Sequence, residues 1–222
     1  MNKYIFLICF FISSVFAVYT LNDNTGDHSQ NQTAQQNRQM NGYDYYIRGD
    51  YNRSVQALLQ EKQQFPDRPN IYVILAWDYR ELKKYNDMEN ISIEGLKIAP
   101  SDIRIVRNLA EAYFYQNKFQ LALDKFSNYI QIRSIQNDNY NSSLYYYMGV
   151  CHYELGNYNR ADIALSTSLY YQRGHYPSLI SIAMTKEKLN EIESSLQYYN
   201  LALTARPGDR TALESINRLK NM

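Results

Sequence analysis

Glycine and proline are scarce in this chain: 222 residues contain eight glycines and five prolines. Long alternating runs of valine, isoleucine and threonine are missing as well. A sheet protein needs both the turns and the β-branched strands, so these shortages point to an all-α fold. Cysteine is nearly absent, with only Cys9 and Cys151. If Cys9 is removed with the N-terminal stretch, Cys151 has no intrachain disulfide partner, and it reads as a small buried hydrophobe inside a helix. Neither sign of charge dominates, since 23 basic residues face 22 acidic ones. A net charge of +1 gives no pull toward nucleic acid or acidic lipid. Of the three histidines, His28, His152 and His175, no two share metal-ligand spacing. There is no glycine-rich phosphate loop and no nucleophile elbow. The sequence therefore points to no catalytic residue, no metal and no cofactor, and the chain is not read as an enzyme.

What is present begins with a leader-like stretch. Lys3 supplies a positive start, and Tyr4 to Phe16 is almost wholly apolar. Val15-Phe16-Ala17 then offers small residues three and one places before a cut. Residues 1–17 are expected to be a signal peptide, which would make the protein exported, periplasmic or secreted. The alternative is an uncleaved anchor in the inner membrane, because Val18, Tyr19 and Leu21 extend the apolar run. Membrane contact is expected only in that case, and the run is shorter than the roughly 20 residues of a spanning helix. Residues 18–34 are rich in Asn, Gln, Thr and Asp. Such a segment buries too little apolar surface to offset its ordering entropy, so it reads as a polar, flexible linker.

Beyond the linker the chain repeats itself. The stretch Leu144–Leu169 reads as two amphipathic helices around a turn at Gly156-Asn157. Gly42, Ala76 and Ala110 stand 34 residues apart, as do Gly149 and Ala183. Pro66 and Pro100 share that interval, and Pro207 closes the last unit. Tyr72, Leu75, Ala76 and Tyr79 have the spacing of a helix–turn–helix repeat, as do Val106, Leu109, Ala110 and Tyr113, followed by Ala122 and Phe126.

This pattern resembles the tetratricopeptide repeat family. The resemblance implies an α-solenoid of antiparallel helix pairs wound into a right-handed superhelix. Its five units would be 35–68, 69–102, 103–136, 142–175 and 176–209, within a domain spanning 35–222. A capping helix over 210–222 would cover the last apolar face through Leu213, Ile216 and Leu219. The pattern departs from regularity in two places. Five extra residues, roughly Asn137–Asn141, interrupt the third and fourth units as a longer loop. The first unit carries Arg38 and Asn41 where apolar residues are usual.

The resemblance also implies a binding surface, because the first helix of each unit lines the concave wall. Carried over residue by residue, that wall comprises Tyr43, Tyr46, Val73, Trp77, Arg80, Arg107, Glu111, Phe114, Tyr146, Val150, Tyr153, Ile180 and Met184. Aromatic and arginine side chains dominate binding hot spots, although an aromatic stripe also serves as core. The lysine and asparagine clamp with which one subtype grips a C-terminal carboxylate is not reproduced. Tyr43, Val73 and Trp77 stand in its places. The leading expectation is an exported scaffold that binds a peptide or extended protein segment, with a role in envelope assembly. A carbohydrate- or peptidoglycan-binding module is the alternative, and an enzyme with dispersed catalytic residues comes third.

Overall fold

The computed structural model describes residues 41–132 and 140–221. The signal and linker readings lie outside them, as do residues 35–40 of the expected first unit and 137–139 of the expected loop. The described residues form eleven helices and no strand. In chain order they are α1 (Gly42–Ile47), α2 (Tyr51–Gln64), α3 (Pro69–Glu81), α4 (Tyr85–Ile98), α5 (Ile103–Tyr115) and α6 (Phe119–Ile132). After the undescribed stretch come α7 (Tyr140–Glu154), α8 (Tyr158–Tyr171), α9 (Tyr176–Lys188), α10 (Ile192–Ala205) and α11 (Arg210–Lys220). They pair as hairpins, α1 with α2 through α9 with α10, and α11 packs on α10. The fold is an α-solenoid of helix pairs.

One backbone feature recurs in every hairpin. Gly49, Lys83, Asn117, Gly156 and Asn190 all have positive φ, between 56° and 76°. Each ends the first helix of its unit in the left-handed region. The next residue's N–H then returns to a carbonyl five residues back, as Lys84 to Tyr79 at 2.8 Å and Asn157 to His152 at 2.8 Å. Orphan carbonyls at the helix end are thereby satisfied, and the chain reverses into the second helix.

The first unit begins abruptly. Asn41 accepts from the Asp44 N–H at 2.9 Å, and Asp44 accepts from the Asn41 N–H at 3.1 Å. This capping box starts α1 at Gly42, so α1 has six residues where α3, α5 and α9 have thirteen. The fourth unit differs in the opposite sense. Tyr140 and Asn141, expected from the sequence to be loop, are the first turn of α7.

Small side chains sit at the helix crossings, where Ala76, Ala110, Ala122, Ala161, Ala183 and Ala202 are all inaccessible. Around them pack Tyr72, Leu75, Ile105, Leu109, Phe126, Leu165, Ile182 and Tyr199. Each large apolar side chain buried here contributes about 1.5–3 kcal/mol. Tyr72 also ties neighbouring units together, since its hydroxyl donates to the Pro66 carbonyl at 2.7 Å.

The first helices of successive units pack on one another, α1 on α3, α3 on α5 and α7 on α9. Successive second helices make no comparable pairing. The stack therefore curves with its first helices inside, and the wall is built from α1, α3, α5, α7 and α9. Across the irregular step, the α5 and α7 backbones are spaced more widely than those pairs. Large side chains bridge the gap. Phe114 and Tyr147 have ring centroids 4.7 Å apart, and the Tyr115 and Tyr147 hydroxyls lie within 3.2 Å.

Candidate functional site

The wall divides into three zones along the stack. At its N-terminal end Tyr43 stacks on Tyr46 with centroids 6.2 Å apart, and Tyr46 packs on Trp77 at 5.5 Å. Trp77 is half-buried and donates its indole N–H to Asn108 Oδ1 at 3.2 Å. Asn108 in turn donates to the Val73 carbonyl at 3.3 Å. Val73 is not on the wall surface. It is 1% exposed and belongs to the core with Tyr72, Leu75 and Met88, because α5 approaches α3 closely enough to close over it.

The middle zone is charged. Glu111 is 2% exposed, so it too is withdrawn from the open face. Arg80 Nη1 lies 3.2 Å from its Oε2, Arg107 Nε 3.6 Å from its Oε1, and the Tyr140 hydroxyl donates to Oε1 at 2.9 Å. The Arg107 guanidinium sits 4.7 Å above the Tyr140 ring. Burial holds the Tyr140 phenol well above the usual tyrosine range, and the adjacent Glu111 raises it further. Two arginines share one carboxylate here, apart from the Arg80–Glu81 pair at 3.0 Å. Phe114, beside this cluster, packs against Tyr115, Phe119 and Tyr147 and is part of the second core.

The third zone is an apolar recess. Tyr146, Val150 and Tyr153 of α7 face Met184 of α9 around a cavity of about 110 Å³. Ser181 and Glu154 complete its lining. The helix spacing explains the grouping, since 146, 150 and 153 repeat on one α7 face. Tyr146 is held by an edge contact to His175 at 5.5 Å, and Tyr153 by one to Tyr158 at 5.5 Å. Ile180 packs into the core under α9 instead. Sequence reasoning misses Ser181 and Glu154. Each lies one residue along from a named wall residue, on the flank of the same helical face. A wider cleft of about 440 Å³ lies between the start of α1 and the polar turn Asp67–Asn70.

Among the described residues no group of histidines, cysteines and carboxylates could hold a metal ion. Cys151 is buried, and burial pushes its thiol up to about 12, so it is a packing residue. No helix among the described residues is long and apolar enough to cross a membrane.

Comparison with known proteins agrees with this architecture. Residues 176–209, the fifth unit, match the family model described as the tetratricopeptide repeat. Solved structures share the fold. MamA is 18% identical, with a TM-score of 0.66 over 75% of this chain and 95% of its own. YrrB, described as a tetratricopeptide protein with an unusual peptide-binding site, is 13% identical, with a TM-score of 0.68 over 85% and 98%. A thermophilic tetratricopeptide protein of Thermus thermophilus is 16% identical, with a TM-score of 0.57 over 82% and 96%. A search of curated proteins by sequence finds no match.

Proposed function

We propose that this chain is a non-enzymatic interaction scaffold whose concave wall receives an extended peptide or protein segment. The observation that carries this reading is the recess between α7 and α9. There Tyr146, Val150, Tyr153 and Met184 present apolar surface around a cavity with few polar groups. Such a cavity suits one apolar side chain of a bound segment, with the tyrosine hydroxyls and Ser181 left to meet its backbone. The partly exposed arginines Arg80 and Arg107, with side-chain exposures of 28% and 24%, favour an acidic residue elsewhere along the segment. That YrrB has a peptide-binding site on the same fold supports the reading. We place the protein outside the cytoplasm, on the strength of the apolar stretch before Ala17, with a role in envelope assembly.

The test is selection from a displayed random-peptide library on the immobilised chain. Peptides sharing an apolar anchor should be enriched and should lose binding to Val150→Asp, a variant whose helix content is unchanged. Failure to enrich, or enriched peptides that ignore Val150→Asp, would overturn the reading. Displacement of the peptides by soluble peptidoglycan fragments would favour a glycan ligand instead.

A further inference from the structure

Asp78 buries a carboxyl group where the three following units place small neutral side chains. Its equivalents in the next three units are Ala112, Cys151 and Thr185, and all four residues are 0% exposed. Asp78 Oδ1 has no hydrogen-bond partner, while Oδ2 lies 2.6 Å from Ser54 Oγ on α2. No lysine, arginine or histidine acts on it from any packed helix among the described residues. The groups that face it are Glu81 and Tyr79 on its own helix, Tyr46 on α1 and the Ser54 hydroxyl on α2. Helices α4 and α5 bring no charge to it. Its neighbour Arg80 is held by Glu81 and Glu111.

Proton counting then decides its state. Ser54 Oγ has one proton and two close oxygens, the Gly42 carbonyl at 2.8 Å and Asp78 Oδ2 at 2.6 Å. A carbonyl only accepts. In the last unit the equivalent serine, Ser195, gives its proton to the equivalent carbonyl, Ala183, at 2.9 Å. That bond is therefore the one this hairpin makes when no carboxyl is near. With the Ser54 proton on Gly42, the short contact to Asp78 needs a second proton, and only the carboxyl can carry it.

We propose that Asp78 is a neutral acid in the folded stack and that this proton latches the first hairpin, α1–α2, onto α3. The chain Asp78 O–H to Ser54 Oγ to Gly42 O joins all three helices. Ionisation would leave a bare, inaccessible carboxylate facing an acceptor and the Glu81 charge. Burial pushes the carboxyl up to about 7, and the nearby Glu81 charge assists. A solvent-exposed aspartate ionises near pH 3.9. Between these values the latched form holds a proton that the open form has lost. Latching is thus complete in acid and weakens by up to about tenfold per pH unit as pH rises to about 7, then levels off. Because α1 carries Tyr43 and Tyr46, opening would remove the aromatic end of the wall. That consequence rests on the peptide reading, whereas the latch does not.

The experiment is hydrogen exchange on the full chain without ligand, at about pH 5 and about pH 8, corrected for intrinsic rates. It is paired with a carbon-13 titration of the Asp78 carboxyl. The variant is Asp78→Asn, whose amide N–H can still donate to Ser54 but cannot ionise. In the native chain α2 should lose about a hundredfold more protection than α10 between the two pH values. Asp78→Asn should abolish that difference. His152 and His175, which burial shifts down, act with the opposite sign and are common to both chains. A carboxyl that titrates near 4, or equal pH dependence in the two chains, overturns the latch. Either result leaves the peptide reading untouched.

Discussion

Gly149 of α7 lies directly against Leu165 of α8, where a Cβ on the glycine would stand 2.6 Å from Leu165 Cγ and 2.8 Å from Cδ2. Gly42 meets Leu58 in the same way, at 2.3 and 2.6 Å. Where alanine replaces the glycine, at Ala76, Ala110 and Ala183, the equivalent opposing residues are Ser92, Phe126 and Tyr199. Glycine at this crossing goes with leucine, whose Cγ and Cδ2 occupy the space a methyl would need.

Gly149→Ala sets two effects against each other. Alanine favours the helix by about 1 kcal/mol, while overpacking a closed crossing costs about 1–3 kcal/mol. Leu165 is fully buried and its Cγ is not a free end, so overpacking wins. Urea denaturation should show a net loss of about 1 kcal/mol. The Gly149→Ala/Leu165→Ala double variant should lose less than the sum of the single changes.

Lys83 holds φ at 56° in the turn where glycine stands at 49 and 156. A residue with a Cβ is strained there by about 1–2 kcal/mol. Lys83→Gly relieves that strain but gives the unfolded chain more freedom. The expected outcome is a stabilisation of about 0.5–1 kcal/mol in thermal or chemical unfolding. Gly156→Lys should lose a similar amount.

Glu111 compensates Arg80 and Arg107 from within the fold. Glu111→Ala leaves both guanidiniums, each about one quarter exposed, without their shared carboxylate and removes the Glu111 acceptor of the Tyr140 hydroxyl. Breaking a buried pair this way costs about 3–5 kcal/mol, and partial exposure of the arginines brings the expectation to about 2–3 kcal/mol. Glu111→Gln, which keeps an acceptor for Tyr140, should lose less by the same unfolding measurement.

The last apolar face is closed by α11. Ala212, Ile216 and Leu219 of α11 are buried with Leu179, Ala183 and Tyr199. Glu187 ties the end together, accepting from the Tyr199 hydroxyl at 2.6 Å and from Arg218 at 2.7 Å. Ile216→Ala should cost about 2–3 kcal/mol. Because solenoid stability is nearest-neighbour, hydrogen exchange should speed up in α10 well before α4.

The phase of the repeat is legible in the sequence because close helix crossings demand small residues, and Gly42, Ala76, Ala110, Gly149 and Ala183 show that demand directly. The hairpin turn is less legible. Its left-handed position is glycine at 49 and 156, lysine at 83 and asparagine at 117 and 190, so no single letter recurs. The five extra residues read as loop, yet Tyr140 extends α7 and reaches across to Glu111. Side-chain pairings of that kind depend on how far α7 stands from α5, which periodicity does not encode. The same limit applies to the wall. Val73 and Glu111 occupy the helical places of exposed neighbours, and only the packing of the adjacent units takes them out of reach. Asp78 gives no signal at all, because its burial is set by α1 and α2 rather than by its own helix.

The proposed peptide site is on the inner face, at the recess between α7 and α9. A photoreactive phenylalanine analogue placed at Tyr153 should crosslink to a library-selected peptide. The same analogue at Ile163, 68% exposed on α8, should not. Equal crosslinking from both positions, or crosslinking from 163 alone, would contradict the account.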